Sequence, residues 1–487
     1  MLTLVLTVLL TVALLLYYGT RKPRGFPPGP PRLPIVGFLP FMDSHLPHKQ
    51  LWRLSSTYGP VVGLYFGVQP VIVVNGWDAN KEALLNDDLN GRPSGSSSTI
   101  PFDGKDLGVM FVNGEIWKEQ RRFTLHQFRN LGFAKKSHEV VIHEVAEELI
   151  KDIKQSKCSI TLQNKLGVCS IIILWAVMGG ARLDRSDPLL TDLVDRLNKL
   201  FRAGQVSGGF VEVVPLLRHV LPETSPFNVV LNGRYRILSY LRNSVEEHKA
   251  THDPDNPRDF IDTYITQIKN EHNNSDTTFT EDQLLATCFD VFSAGAETGS
   301  SSVTFAVLLM ILYPSVGQAV QRELDEVVGR SRFPSVDDRT KLVYTEATLA
   351  EVSRFRGVAP LTVPHYAVRD TILQGKRIPA GTMVMNNLYS VHMDPEYWKD
   401  PDTFRPERFI NPDGSLRKDE RLIPFGKGRR SCLGESLARM TLFLMFTTLM
   451  QHFNFRLDPA IPVFDTEGKS GFTLGPPDFN VFAEPRA

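Results

Sequence analysis

Near the C-terminus the chain reads PFGKGRRSCLGE, from Pro424 to Glu435. Three glycines (Gly426, Gly428, Gly434) and two arginines (Arg429, Arg430) surround one thiol, Cys432. Neighbouring positive charge favours thiolate over thiol. The following run, ESLARMTLFLMFTTLMQHF, predicts a helix that begins just past the cysteine, and the free N–H groups of a helix start favour S⁻ as well. A thiolate held this way serves as a nucleophile or as a metal ligand. The nucleophile needs a general base, which the sequence does not place. The glycines suit a planar ligand lying against backbone. Both readings stand on these residues alone.

A second chemical feature lies upstream. Thr280-Glu281-Asp282-Gln283 predicts a capping box, with Thr280 as N-cap and Gln283 reaching back. Apolar residues run on through Leu312, and Pro314 ends the pattern. A helix of about 33 residues, apolar nearly all round, crosses the middle of a domain. Its centre, SAGAETGS, sets a carboxylate, Glu297, among small residues. Thr298 can turn its hydroxyl to the carbonyl four residues back, loosening the ladder. Close helix–helix packing explains the small residues equally well.

The chain that positions these features has 487 residues, with Lys+Arg equal to Asp+Glu at 54 each, so total charge gives no argument for nucleic acid binding. Four cysteines in this length form neither a disulfide framework nor a zinc pattern. Residues 1–18 carry no charge and would span about 27 Å as a helix, close to a hydrocarbon core. Arg21, Lys22 and Arg24 follow the run and none precedes it, which puts the C-terminal side in the cytoplasm. Residues 1–20 therefore read as a membrane anchor and 21–34, basic and proline-rich, as an extended linker. Residues 35–487 read as one large, mainly α domain with small β-sheets. Val61 to Phe66 and Val71 to Val74 read as strands; Ile142 to Ile153, Leu189 to Phe201 and Ile237 to Lys249 read as helices.

Five motifs occur in a fixed order: Trp117-Lys118-Glu119-Gln120-Arg121, Ala294-Gly295-Ala296-Glu297-Thr298, Glu351-Val352-Ser353-Arg354, Pro406-Glu407-Arg408-Phe409, and Phe425-x-x-Gly428-x-Arg430-x-Cys432-x-Gly434. Together they resemble the cytochrome P450 monooxygenases over essentially the whole chain. The anchor and the PPGP linker are similar to those of the animal microsomal members, in the clan of vertebrate family 2 and arthropod hormone-pathway enzymes.

The resemblance implies the cytochrome P450 fold and a haem b whose iron takes Cys432 as axial thiolate. Phe425, Gly434, Gly295 and Ala294 would border the haem. Trp117, Arg121, His365 and Arg430 would bind its propionates, with Arg92 a further candidate. Thr298 would order proton-delivering water during dioxygen activation, with Glu297 feeding that relay and Gly295 leaving room for the gas. Glu351, Arg354 and Arg408 would form a structural charge cluster. Ile100, Phe102, Val109, Phe111, Val291, Ala294, Val358, Val363 and Phe472 would line an apolar pocket for a small lipophilic substrate. Lys118, Arg122, Lys427 and Arg429 would face an acidic electron donor, NADPH–cytochrome P450 reductase, with cytochrome b5 as a second one. The domain would face the cytosol from the endoplasmic reticulum. The substrate would be an arthropod sesquiterpenoid, an aromatic compound or a xenobiotic. Competing readings are an O2-independent isomerase or dehydratase, which the acid–threonine pair disfavours, and a non-catalytic haem carrier or sensor.

Overall fold

The computed structural model describes residues 22–133, 135–156, 158–180, 183–204, 211, 218–461 and 465–486. The expected anchor, residues 1–20, lies outside the described residues. Among them, the helices of eleven or more residues are α1 (Gly114–Asn130), α2 (Lys136–Gln155), α3 (Leu162–Met178), α4 (Pro188–Ala203), α5 (Pro226–Thr251), α6 (Phe260–Asn270), α7 (Glu281–Leu312), α8 (Pro314–Val327), α9 (Val343–Phe355) and α10 (Glu435–His452). The fold is mainly helical, and its sheets are small. The larger one runs β1 (Val61–Phe66), β2 (Gln69–Val74), β6 (Met383–Asn386), β3 (His365–Tyr366). β1 and β2 form an antiparallel hairpin with Val61 opposite Val74, and β2 pairs parallel with β6, Val71 opposite Met383. Val71 to Val74 are buried on both faces, which is why four consecutive β-branched residues form the middle strand. Two-stranded ribbons complete the β structure: β4 (Thr371–Leu373) with β5 (Lys376–Ile378), and β7 (Phe453–Leu457) with β8 (Val481–Pro485).

The proline-rich stretch is not a free spacer. Gly63 N–H donates to Pro28 O at 2.7 Å and Phe26 is buried against Tyr65, so the described part of the linker docks along β1. A Cβ on Gly29 would come 2.0 Å from Gly63 O, so this docking needs a glycine.

α7 is the axle of the domain. It alone among the described helices is long and apolar enough to cross a membrane, yet 67% of its most apolar window is buried inside the protein. It is a core helix, packed by α3, α5 and α10. Half of the expected capping box is present: Thr280 Oγ1 accepts from Gln283 N–H at 3.2 Å. The Gln283 side chain does not reach back; it pairs with Gly108 instead, because a buried amide finds a complete donor–acceptor partner in that backbone. Gly295 and Gly299 lie against α3. A Cβ on Gly295 would sit 2.9 Å from Leu174, and one on Gly299 3.3 Å from Ser170 Oγ. Packing between the two helices therefore gives both glycines a structural reason, alongside the expected place of Gly295 in the groove.

α9 carries the charge cluster. Glu351 and Arg354 make a bidentate pair with both arms at 2.7 Å, and Arg408 Nε reaches Glu351 at 3.3 Å. Arg354 also donates to His392 O at 2.8 Å and Pro401 O at 2.9 Å, which ties the segment before the cysteine loop onto α9.

Candidate active site

Gly426 and Gly428 have φ of 72° and 78°, the left-handed turns that bend the loop toward Cys432. At Gly428 a Cβ would also come 2.2 Å from Leu84 O. Cys432 N–H donates to Phe425 O at 3.0 Å and closes the turn, and Arg439 lies over the half-buried Phe425 ring at 4.8 Å. Gly434 differs from its neighbours. Its φ of −92° suits any residue and a Cβ there would meet nothing within 4 Å, so the protein itself does not demand glycine; a flat group against the backbone would.

The two loop arginines take different directions. Arg429 turns to the surface and pairs with Asp87 at 3.2 Å, and Arg430 stacks on Trp117 at 3.8 Å. Cys432 is exposed on the open side of the loop; the protein packed behind it raises its pKa, while the Gly434 N–H and Arg121 pull it down. A cation bound directly to sulfur would deprotonate it. Among the described residues no histidine hydrogen-bonds Cys432, so the nucleophile reading lacks its base and the metal-ligand reading remains.

Beside the cysteine stands a set of donors, some of whose buried atoms lack acceptors among the described residues. Trp117 and Arg121 lie one turn apart on α1. Arg121 Nη2 donates to Ser431 O at 2.7 Å; Arg430 donates to Asn90 O at 2.9 Å and Val112 O at 3.0 Å; Arg92 Nη1 donates to Val363 O at 2.6 Å and Pro364 O at 2.9 Å. Burial and mutual repulsion among these arginines lower Arg92 and Arg430 to about 9 each. Trp117 Nε1, Arg430 Nη1 and Arg92 Nε are buried without a partner among the described residues. His365 Nδ1 faces Leu89 O at 3.0 Å, and burial beside Arg92 and Arg430 holds its pKa well below the ordinary value. A carbonyl only accepts, so Nδ1 carries the proton of this neutral ring. Orphaned donors on three side chains fit a ligand carrying carboxylates, as haem propionates do.

On α7 a stripe of Val291, Ala294, Thr298 and Ser302 is only half-buried on a helix otherwise closed over most of its surface. Thr298 Oγ1 donates to Ala294 O at 2.7 Å, as expected from sequence. Glu297, one residue earlier, points to a different face. It accepts from Arg202 Nη2 at 2.5 Å, Thr473 Oγ1 at 2.8 Å and Ser301 Oγ at 3.2 Å. Burial raises its pKa against the pull of these partners. Of the pocket candidates, Ile100, Val109, Phe111, Val291, Val358, Val363 and Phe472 are half-buried. Phe102, at 4% exposure, belongs to the main core. Phe472 meets Phe201 edge-on at 6.0 Å, and Val358 O accepts from Leu474 N–H at 2.8 Å. Asp290 and Arg202 were not expected from sequence. Asp290 Oδ2 accepts from Val109 N–H at 2.8 Å and Met110 N–H at 2.9 Å. The signal for Asp290 was present as a lone acid seven residues before Glu297 in an apolar helix; nothing in the sequence marks Arg202.

An exposed cysteine that no described histidine hydrogen-bonds, an open cationic clamp and a half-buried helix face together suit a haem-thiolate site. The cytochrome P450 family model matches residues 27–482. The chain is 37% identical to cytochrome P450 2B2 of Rattus norvegicus over 98% of each chain. It is 35% identical to a farnesoate epoxidase of Bombyx mori, again over 98% of each. It is 37% identical to cytochrome P450 2B4 of Oryctolagus cuniculus over 99% of this chain and 98% of that one. The chain belongs to the cytochrome P450 family. It is a monooxygenase that binds haem with iron and an axial cysteine thiolate, and it works with a redox partner, dioxygen and a substrate.

Proposed function

We propose that this monooxygenase is held on the endoplasmic reticulum by residues 1–20, with residues 35–487 as its haem domain facing the cytosol. It inserts one oxygen atom into a small lipophilic substrate by hydroxylation or epoxidation. The observation that carries the substrate class is the half-buried apolar set Val109, Phe111, Val291, Val358, Val363 and Phe472. The similarity to a farnesoate epoxidase supports a sesquiterpenoid as the first candidate to test.

Bound haem supplies the reductive activation of dioxygen. Cys432 holds its iron, and the Gly434 N–H directed at the sulfur tunes that ligand. Arg121, Arg430, Trp117 and His365 hold the propionates, together with Arg92. Thr298 donates its hydroxyl proton to Ala294 O, so its lone pairs can accept from a water and hold it at Oγ1, oriented for proton delivery. Lys118, Arg122, Lys427 and Arg429 give an acidic NADPH–cytochrome P450 reductase, or cytochrome b5, a basic face. Lys118 also pairs with Glu115 at 2.6 Å, and Lys427 lies 5.7 Å over the Trp77 ring.

The ferrous–CO complex is expected to show the red-shifted thiolate band and to lose it in Cys432→Ala; survival of the band in that variant would sink the ligand assignment. Titration of lipophilic candidates and of small polar ones lacking an apolar body, followed by haem absorbance, tests the substrate class, and tighter binding of the polar set would overturn it. Thr298→Ala is expected to lower turnover about tenfold or more without weakening substrate binding.

A further inference from the structure

Among the polar side chains of α7, Gln283, Asp290 and Glu297 stand at equal steps of seven residues. Seven residues are two turns, with a drift of only about 20° per step, so the three share one face. Each takes hold of a loop, and both loops carry pocket candidates. Gln283 Oε1 accepts from Gly108 N–H at 3.1 Å and its Nε2 donates to Gly108 O at 2.9 Å. Asp290 takes the next two N–H groups, Val109 and Met110, on one oxygen. Gly108 has φ +90°, and a Cβ there would come 2.2 Å from Asp290 Oδ2, so the loop lies directly on the helix. Glu297 holds Thr473 Oγ1 on one oxygen and Arg202 on the other, and Arg202 Nη1 donates to Thr473 O at 2.7 Å. Phe472 N–H donates to Phe201 O at 2.8 Å on the same loop.

We propose that Gln283, Asp290 and Glu297 form a positioning rail that sets two walls of the substrate pocket, Val109–Phe111 and Phe472, in register with the reacting face of α7. The register is built into the helix: Asp290 precedes Val291 and Glu297 precedes Thr298, so each of these two anchors stands one residue before a member of the exposed stripe. Gln283 and Asp290 fix the first wall through backbone groups, which keeps the loop side chains free to face the substrate. Glu297 is a positioning residue in this scheme, its carboxylate committed to the second wall. The inference rests on the lipophilic pocket proposed above.

Two iron-ligating probes separate wall placement from the haem itself. Imidazole is too small to need the walls; 4-phenylimidazole carries an apolar ring that does. With haem-loaded full-length protein, Asp290→Ala is expected to weaken 4-phenylimidazole about tenfold and imidazole less than about twofold. Asp290→Asn keeps an oxygen for both N–H groups and is expected to restore 4-phenylimidazole to within about threefold of the original. Gly108→Ala lifts the loop without deleting any side-chain partner and is expected to behave as Asp290→Ala. Glu297→Ala is expected to give the same separation through Phe472. Should Asp290→Ala yield no haem protein, Gly108→Ala and Asp290→Asn carry the comparison. Equal weakening of both probes, or no change in either across Gly108→Ala and Glu297→Ala, overturns the rail. If the unsubstituted protein binds 4-phenylimidazole no more tightly than imidazole, the lipophilic reading falls and takes the rail with it.

Discussion

Two arginine clusters in this protein look alike in sequence and differ in structure. Arg354 and Arg408 surround Glu351, and their remaining donors end on backbone carbonyls of His392, Pro401 and Trp398. That cluster closes on itself. Arg92, Arg121 and Arg430 gather near Cys432 with no carboxylate among them, and three buried donors there stay unpaired. A buried charge that serves the fold brings its counter-charge along, because an unpaired one is costly. A buried charge left open is shaped for a ligand that supplies the missing sign. Each cluster also keeps one neutral histidine: His392 at the closed one, His365 at the open one.

Breaking the closed cluster gives the largest expected effect. Glu351→Ala leaves two guanidiniums buried without their carboxylate, a loss of about 3–5 kcal/mol. The expected outcome is little or no haem-loaded protein and a steep fall in thermal midpoint, whatever the haem supply. Recovery of normal stability on adding excess haem would show that Glu351 serves the ligand and not the fold.

Breaking the open cluster is expected to act on the ligand and much less on the fold. Arg430→Ala removes a propionate partner and, in the haem-free protein, one of three mutually repelling charges. Haem release to an acceptor protein is expected to speed up about tenfold to hundredfold, in line with loss of one charge-assisted hydrogen bond. The haem-free midpoint should move far less than the haem-loaded one. Equal losses in both forms would make Arg430 a structural residue like Arg354.

The histidines sharpen the comparison through pH. His392 Nε2 accepts from Ile423 N–H at 3.1 Å, and burial beside Arg354 lowers it to about 3. A depressed folded pKa contributes stability above the unfolded value of about 6.5, lost as pH falls toward 3. Each such group removes about 1.4 kcal/mol per pH unit over that window. His392→Asn is therefore expected to flatten the decline of stability between pH 6.5 and 4 by that slope. His365 is expected to add a similar slope that is smaller with haem bound, because burial remains while propionates would offset Arg92 and Arg430. A slope at His365 that is unaffected by haem would place the carboxylates elsewhere.

Much of this was legible before folding was considered. The cysteine loop, the long helix and the Glu351–Arg354 spacing follow from local patterns: glycines at turns, an N-cap, an i, i+3 pair. What the sequence hid was direction. Gly295 packs against Leu174 of α3, and Glu297 takes Arg202, 95 residues away in sequence; neither partner can be read from the motif that carries the residue. The resemblance already separates the adjacent Arg429 and Arg430; what local pattern leaves out is their partners, Asp87 for the first and Trp117 for the second. Pairings over such separations leave no periodic trace.

Those two adjacent arginines also set the smallest expected effect. Arg429 and Asp87 are both more than half exposed at 60% and 52%, so water screens their 3.2 Å pair. Pairs of this kind contribute about 0–1 kcal/mol. Arg429→Ala is expected to leave the thermal midpoint and haem release within error of the parent, in contrast to Arg430→Ala. Its one expected consequence is kinetic: reduction by an acidic donor protein slows modestly at low ionic strength, and the difference disappears in high salt. Stopped-flow reduction at two salt concentrations checks this. Slowed haem binding in Arg429→Ala would mean that both neighbours belong to the open cluster and that the division between them is wrong.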